Sequence, residues 1–260
     1  MAERGDWAQA LAAANARGPE VAKPLLARFL REAMDAGRFG EALKTLARFG
    51  ALASPELLPL YERLADETFA LCEPAEVADL KAVLQSLLAA QALDPSARPG
   101  FERALLLAHL LGQRHTYEAH KLLGLKALTS VSLLRFIDLT TIDRPFLDAG
   151  RALRDAGDEV QAFVFLNRYL DVYEMIEGQR NEIEENVELR KTDVPEIKNL
   201  RVPQNNAVTP EEMKTIRDWL LKISVARGTE LRLPSKQCVA CLQDIFVGCV
   251  GCRFCKNKST

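Results

Sequence analysis

Three shortages narrow the field before any motif is read. There is no excess of basic residues: 34 Lys and Arg stand against 36 Asp and Glu, a formal net charge of −2. That balance does not hold a phosphate backbone, so nucleic acid is not expected as the principal partner. There is no long apolar run. The greasiest stretch, Ala104 to Leu111, is far shorter than a bilayer span and contains His109. The N-terminus, Met1-Ala2-Glu3-Arg4-Gly5-Asp6-Trp7, is too polar for a signal peptide. A soluble, cytosolic chain with no transmembrane segment is expected. Catalytic apparatus is also scarce. The histidines are His109, His115 and His120, and the last two are spaced so that one helix face does not present both to a metal. No glycine-rich phosphate loop and no nucleophile elbow appears. Neither enzymatic activity nor a small-molecule substrate is expected.

What is present is a globular balance: 48% hydrophobic and 27% charged residues over 260 positions, enough for one or two domains. Residues 1 to 176 read as helix after helix with short, chemically explicit breaks. Gly18-Pro19 ends one helix and opens the next. Ser54-Pro55-Glu56 reads as an N-cap, a first-turn proline and an acid at the positive helix end. Further breaks are expected at Glu73-Pro74, Asp94-Pro95, Arg98-Pro99-Gly100 and Gly157.

Asp35-Ala36-Gly37-Arg38-Phe39-Gly40-Glu41-Ala42-Leu43 has the turn-then-helix character of a tetratricopeptide unit, with Ala42 and Ala47 small enough for close helix approach. Ala156-Gly157-Asp158-Glu159-Val160-Gln161-Ala162-Phe163 is a looser version. No strict period of ~34 residues aligns, so the repeats are degenerate. After Gly157, two apolar stripes lie side by side: Phe163, Leu166, Leu170 and Tyr173, then Ala162, Phe165, Tyr169, Val172 and Ile176. A helix with both stripes is packed on two sides. Ala104 to Leu111 is likewise apolar nearly all round. The fold class expected is therefore all-α: a tetratricopeptide-like helical-repeat solenoid, with a compact helical bundle as the alternative. Cys72 reads as a small core residue.

Residues 177 to 208 turn polar and acidic, through Glu177, Glu182, Glu184, Glu185 and Glu188 to Pro195, Pro203 and Asn205-Asn206. They read as a linker or an ordered meandering loop, with Val194-Pro195 and Ile197 as possible apolar anchors. Thr209-Pro210-Glu211-Glu212 then opens a helix with a capping box. It runs to Arg227 and stops at Gly228. Its apolar face is Met213, Ile216, Leu220 and Ile223, broadened by Trp219 and Leu221. The segments expected are a solenoid over 1–176, a linker or loop over 177–208, a helix packing on the solenoid over 209–228, and a Cys-rich stretch over 229–260.

That stretch holds five of the six cysteines. Cys238-x2-Cys241 and Cys252-x2-Cys255 are two ligand pairs separated by ten residues, room for a hairpin-like knuckle around a tetrahedral Zn²⁺. Cys249 offers an alternative ligand register. Residues 235 to 260 are too few to build a core alone, their apolar supply being Val239, Leu242, Ile245, Phe246, Val247, Val250 and Phe254. A structural zinc is the available staple. Lys236, Arg253, Lys256 and Lys258 would offset its thiolate charge, and Gly248 and Gly251 would turn the chain before the second pair.

Several segments resemble one family in the same order and at similar separations. They are Val131-Ser132-Leu133-Leu134-Arg135, Ala162-Phe163-Val164-Phe165-Leu166-Asn167-Arg168-Tyr169-Leu170-Asp171, Thr192-Asp193-Val194-Pro195, and Ile216-Arg217-Asp218-Trp219-Leu220-Leu221. They resemble the C-terminal part of the intraflagellar transport protein 172 family, and Asp35 to Leu46 is similar to one of its repeats. The resemblance implies a subunit of the peripheral part of the intraflagellar transport B complex, in the cytoplasm of the cilium or flagellum and at the basal body. It implies a non-catalytic scaffold needed for cilium assembly and for turnaround of transport trains at the tip, with other intraflagellar transport subunits as partners. Members carry β-propellers, a long tetratricopeptide solenoid and a small U-box-like terminal domain. Against that pattern this chain is expected to be a fragment or partial gene product, with 229–260 the start of the small domain. Two other readings stay open: a U-box-like module that assists ubiquitin transfer, and a generic repeat adaptor of a vesicle-coat-like complex.

The polar, proline-bearing stretch from Glu177 to Val208 is expected to be the first site of nicking in limited proteolysis. First cleavage within Glu102 to Leu111, read by mass spectrometry, would contradict this segmentation.

Overall fold

Helix ends are set by local chemistry that recurs along the chain. In the computed structural model, the described residues are 7–179, 189–195, 201–203, 206–227, 232–247, 249–252 and 254–256. Ten α-helices are found among them: α1 (Trp7–Asn15), α2 (Pro19–Asp35), α3 (Phe39–Phe49), α4 (Leu58–Leu71), α5 (Pro74–Ala89), α6 (Arg98–Ala119), α7 (Leu123–Leu133), α8 (Asp143–Asp155), α9 (Glu159–Glu177) and α10 (Pro210–Arg227). A hairpin of β1 (Ser235–Gln237) and β2 (Asp244–Phe246) follows. The class is therefore mostly helical, with one short sheet that the all-α reading did not include.

One turn closes α2, α6 and α8. Its sixth residue donates its N–H back to the first carbonyl: Arg38 to Ala33 at 2.7 Å, Leu122 to Tyr117 at 2.8 Å and Asp158 to Leu153 at 3.0 Å. The fifth residue is left-handed in each case, with φ of 68° at Gly37, 56° at Lys121 and 83° at Gly157. This is the Schellman arrangement, which satisfies carbonyls that a helix end would otherwise leave open. The Asp158 carboxylate then accepts the Gln161 N–H at 3.0 Å and caps α9.

Several expected details differ. Ser54 does not cap with its side chain; a turn through Leu57 intervenes and α4 starts at Leu58, with Pro59 in its first turn. The breaks at Asp94-Pro95 and Arg98-Pro99-Gly100 are one break, because α6 begins at Arg98 and takes Pro99 into its first turn. Ala47 is exposed, and the small residue at a close approach is Gly40, where a Cβ would lie 2.6 Å from Glu76 Oε1. Leu106 is exposed, so α6 has a bare face. Cys72 is not a core residue. It is the left-handed C-cap of α4 and its thiol donates to the Phe69 carbonyl at 2.8 Å.

The packing divides the chain into two compact units, Met1–Gly112 and Gln113–Thr260. In the first, Trp7 of α1 packs on Phe29 of α2 with ring centroids 5.6 Å apart. The Tyr61 hydroxyl of α4 accepts from the Leu52 N–H at 3.1 Å, and burial pushes its pKa up to about 12.

In the second unit α9 is the central element. All of the second expected stripe is buried, with Leu166 and Tyr173 of the first, while Phe163 and Leu170 pack half-buried against the same core. Gly150 of α8 lets α9 approach closely: a Cβ there would lie 2.5 Å from Leu166 Cγ and 3.2 Å from its backbone nitrogen. The capping box of α10 forms in both directions. Glu212 N–H donates to Thr209 Oγ1 at 3.2 Å, and Thr209 N–H to Glu212 Oε2 at 3.1 Å. Met213, Ile216, Leu220 and Ile223 are buried and Trp219 is half-buried, whereas Leu221 is exposed. Gly228 and Ile197 lie outside the described residues, as do Glu182, Glu184, Glu185 and Glu188. Of the stretch between α9 and α10, Leu189 and Val208 join the core and Val194 packs against it. The Ile142 N–H donates to the Arg201 carbonyl at 3.1 Å.

Two glycine replacements should have opposite signs. Gly112, inside α6 with nothing within 4 Å of a built Cβ, should stabilise the chain by about 0.5–1 kcal/mol when replaced by alanine. Gly150→Ala gains the same helix propensity but drives a methyl into Leu166, so overpacking should win with a net loss of about 1–3 kcal/mol. Denaturant melts of the two variants would check this.

Candidate metal centre

The centre starts from the hairpin. β1 and β2 pair antiparallel, with Ser235 opposite Phe246 and Gln237 opposite Asp244, so the connecting turn carries Cys238 and Cys241. Inside it the Cys238 N–H donates to the Gln243 carbonyl and the Leu242 N–H to the Cys238 carbonyl, both at 2.8 Å. Within the second unit the module packs on the helical core through buried Leu233 and half-buried Phe246 and Val247. Its other apolar residues do not form a core: Val239, Leu242, Val250 and Phe254 are all exposed.

The structure brings the sulfurs of Cys238, Cys241, Cys252 and Cys255 within 4.8 Å of one another. Cys238 Sγ lies 3.5 Å from Cys255 Sγ, and Cys241 Sγ 3.4 Å from Cys252 Sγ. Each short contact joins one sulfur from each pair, so the pairs interleave around a shared point. Four thiolates at ~2.3 Å from a tetrahedral ion sit roughly 3.8 Å apart, which these separations approach. All four are free thiols, and the donor set can hold a metal ion. Cys249 stands aside, its thiol donating to the Lys191 carbonyl at 3.5 Å.

The backbone is shaped for sulfur. Leu242 and Lys256, each directly after the second cysteine of its pair, share the left-handed conformation, with φ of 58° and 54°. The two pairs are thus local copies of one knuckle. In each, N–H groups turn inward. Those of Ala240 and Cys241 point at the Cys238 sulfur and lower its pKa to about 7. Those of Cys255 and Phe254 act on Cys252 in the same direction, the former more strongly. The Gln243 N–H also pulls Cys241 down, but the sulfurs of Cys252, Cys255 and Cys238, together with burial, outweigh it and push that thiol up to about 12. Sulfurs this close do not all ionise without a cation between them.

The chain bends at Val250 and Gly251, before the second pair, while the left-handed positions are Leu242 and Lys256. Lys236 and Lys256 are exposed, and Gly248, Arg253 and Lys258 lie outside the described residues. His109 Nδ1 sits 3.2 Å from Lys81 Nζ, and His120 is exposed. Among the described residues the four cysteines are the single group of His, Cys, Asp or Glu placed to share a metal. No helix there is long and apolar enough to cross a membrane.

Leu242→Gly offers a test of the knuckle backbone. Left-handed φ costs a non-glycine residue roughly 1–2 kcal/mol, while glycine returns about 0.4–1 kcal/mol through the unfolded chain. Leu242 is 70% exposed and has little burial to lose. The variant should therefore gain about 0.5–1 kcal/mol in an equilibrium melt, and a loss would contradict the assigned backbone role.

No family model matches the chain. Individual relatives do. The intraflagellar transport protein 172 homolog of Mus musculus is 28% identical over 243 residues, 89% of this chain and 14% of the relative. That of Drosophila melanogaster is 30% identical over 246 residues, 90% of this chain and 14% of the relative. Intraflagellar transport protein 172 of Chlamydomonas reinhardtii is 26% identical over 268 residues, 98% of this chain and 15% of the relative. The chain spans about 14% of the length of the curated relatives it matches. Over about nine tenths of its length the chain is similar to proteins named intraflagellar transport protein 172, along one stretch of those much longer proteins.

Proposed function

We propose that the chain is a non-catalytic scaffold segment of an intraflagellar transport B complex subunit, acting by binding other subunits of that complex. The observation that carries this reading is the similarity along about nine tenths of the chain to proteins named for intraflagellar transport. The helical build supports it. Stacked helix pairs present long surfaces to peptides and helices, and binding there needs no small cofactor. On this reading 1–176 serves as a tetratricopeptide-like repeat segment, 177–208 as its connecting loop, 209–228 as a closing helix and 229–260 as a cysteine-built terminal element. The protein works in the cilium or flagellum and at the basal body, in assembly and in turnaround of trains at the tip. Affinity capture from ciliated cells is expected to recover other intraflagellar transport subunits; recovery of vesicle-coat components in their place would overturn the assignment.

The ion we assign to the cysteine centre is a structural Zn²⁺ held by Cys238, Cys241, Cys252 and Cys255. Four soft sulfur donors in tetrahedral reach suit zinc. Four protein ligands leave no open position for water, so the role is to close the fold. Elemental analysis of the purified 260-residue chain is expected to give one zinc per chain, lost in a Cys238→Ser, Cys252→Ser double variant. A zinc-free wild type would remove this assignment.

A further inference from the structure

Two contacts tie the cysteine centre to a segment far away in sequence. The Val250 N–H donates to Asp193 Oδ2 at 2.7 Å, and the Cys249 thiol to the Lys191 carbonyl at 3.5 Å. Cys249 and Val250 lead directly into Cys252. On its other side, segment 189–195 packs on the helical unit. Leu189 is part of the core and Val194 packs against it. Between them Thr192 is buried, its hydroxyl donating to the Leu189 carbonyl at 2.6 Å and accepting the Val194 N–H at 3.3 Å. Segment 189–195 is therefore sandwiched between the helical core and the loop that delivers the second cysteine pair.

At its near end the loop is tied back to the hairpin, where the Cys249 N–H donates to the Phe246 carbonyl at 3.1 Å. Val250 and Phe254 are exposed, and the buried residue beside them is Cys252 itself. Ordering a backbone residue costs more than one partly exposed hydrogen bond returns, so the grip on Asp193 does not sustain itself. An ion bound to Cys252 and Cys255 adds a constraint at the loop's far end, directly beside Val250.

The geometry points to a metal-gated clasp: an ion at Cys238, Cys241, Cys252 and Cys255 holds residues 249–252 where they grip Lys191 and Asp193, and so seats segment 189–195 on the helical unit. This rests on the zinc assignment made above. The centre is then a device that couples metal occupancy to the order of a segment outside the cysteine module, rather than a self-contained knuckle. Asp193 is a positioning residue. It touches no ion, and its carboxylate makes a charge-assisted bond to a backbone N–H.

The test uses the full chain loaded with Zn²⁺ alone, the same chain stripped by a chelator, and a loaded Asp193→Ala variant. Amide hydrogen exchange is read by mass spectrometry and zinc content by elemental analysis. Stripping is expected to speed exchange in 189–195 at least tenfold while the α8 and α9 peptides stay protected. Asp193→Ala is expected to speed exchange in 189–195 while keeping one zinc per chain, a separation that simple loss of the site does not produce. Zinc bound with exchange in 189–195 unchanged on stripping, or unchanged in Asp193→Ala, overturns the clasp alone. Failure of the wild type to bind zinc overturns both the clasp and the assignment beneath it.

Discussion

A helix that is apolar on two sides must be covered on two sides, and in the C-terminal unit that helix is α9. Ten of its residues are buried, from Ala162 to Ile176. α8 covers one flank through the gap at Gly150, and α10 covers another with Met213, Ile216 and Leu220. Leu189, Val208, Leu233, Phe246 and Val247 extend the same continuous core. The magnitudes decide what holds this together. A fully buried leucine or phenylalanine contributes roughly 1.5–3 kcal/mol. The exposed pairs Arg217–Glu174 and Arg151–Glu212, both at 3.3 Å, belong to a class measured at about 0.2–1 kcal/mol. Those pairs, with Arg154 over the Trp219 ring at 6.0 Å, orient α10; burial attaches it.

The same contrast explains which features of the fold can be read from the residues. The stripes of α9, the glycine turns at Gly37 and Gly157 and the capping box at Thr209 are local signals, and each appears where the chain pattern puts it. Lys121 and Cys72 are different. Both adopt left-handed backbone, with φ of 56°, at positions where the sequence shows no glycine. Packing and the returning hydrogen bonds choose that conformation, and the side chain carries no mark of it. Leu106 and Leu221 fail the other way: they are apolar by sequence yet exposed, because helical periodicity gives the direction of a stripe and not the width of the neighbour that covers it.

The candidate centre divides along the same line. The cysteine spacing is legible because two pairs with a hairpin between them are a local solution to placing four sulfurs around one point. The displacement of Cys249 from that group is not, since its register matches Cys252 almost as well on paper. Nor is the part played by Asp193, which reaches its partner across 57 residues. The left-handed residues after each pair, Leu242 and Lys256, are again side chains in positions that favour glycine.

Charge compensation gives the last step. A divalent ion with four thiolates carries about two net negative charges, and a small module beside an apolar core has few ways to meet them. Lysines at its edge are exposed and hydrated, so water screens much of what they offer. The chain uses its backbone instead. N–H groups of Ala240, Cys241, Gln243, Phe254 and Cys255 turn toward the sulfurs, and the left-handed residues after each pair continue the turns that hold them there. Backbone dipoles fixed in a turn would need no reorganisation on binding an ion and are little affected by salt. That arrangement would let a metal-loaded centre sit against Leu233, Phe246 and Val247 without drawing a cationic side chain into the core, while Val250 and Cys249 meet Asp193 and Lys191 of a neighbouring segment.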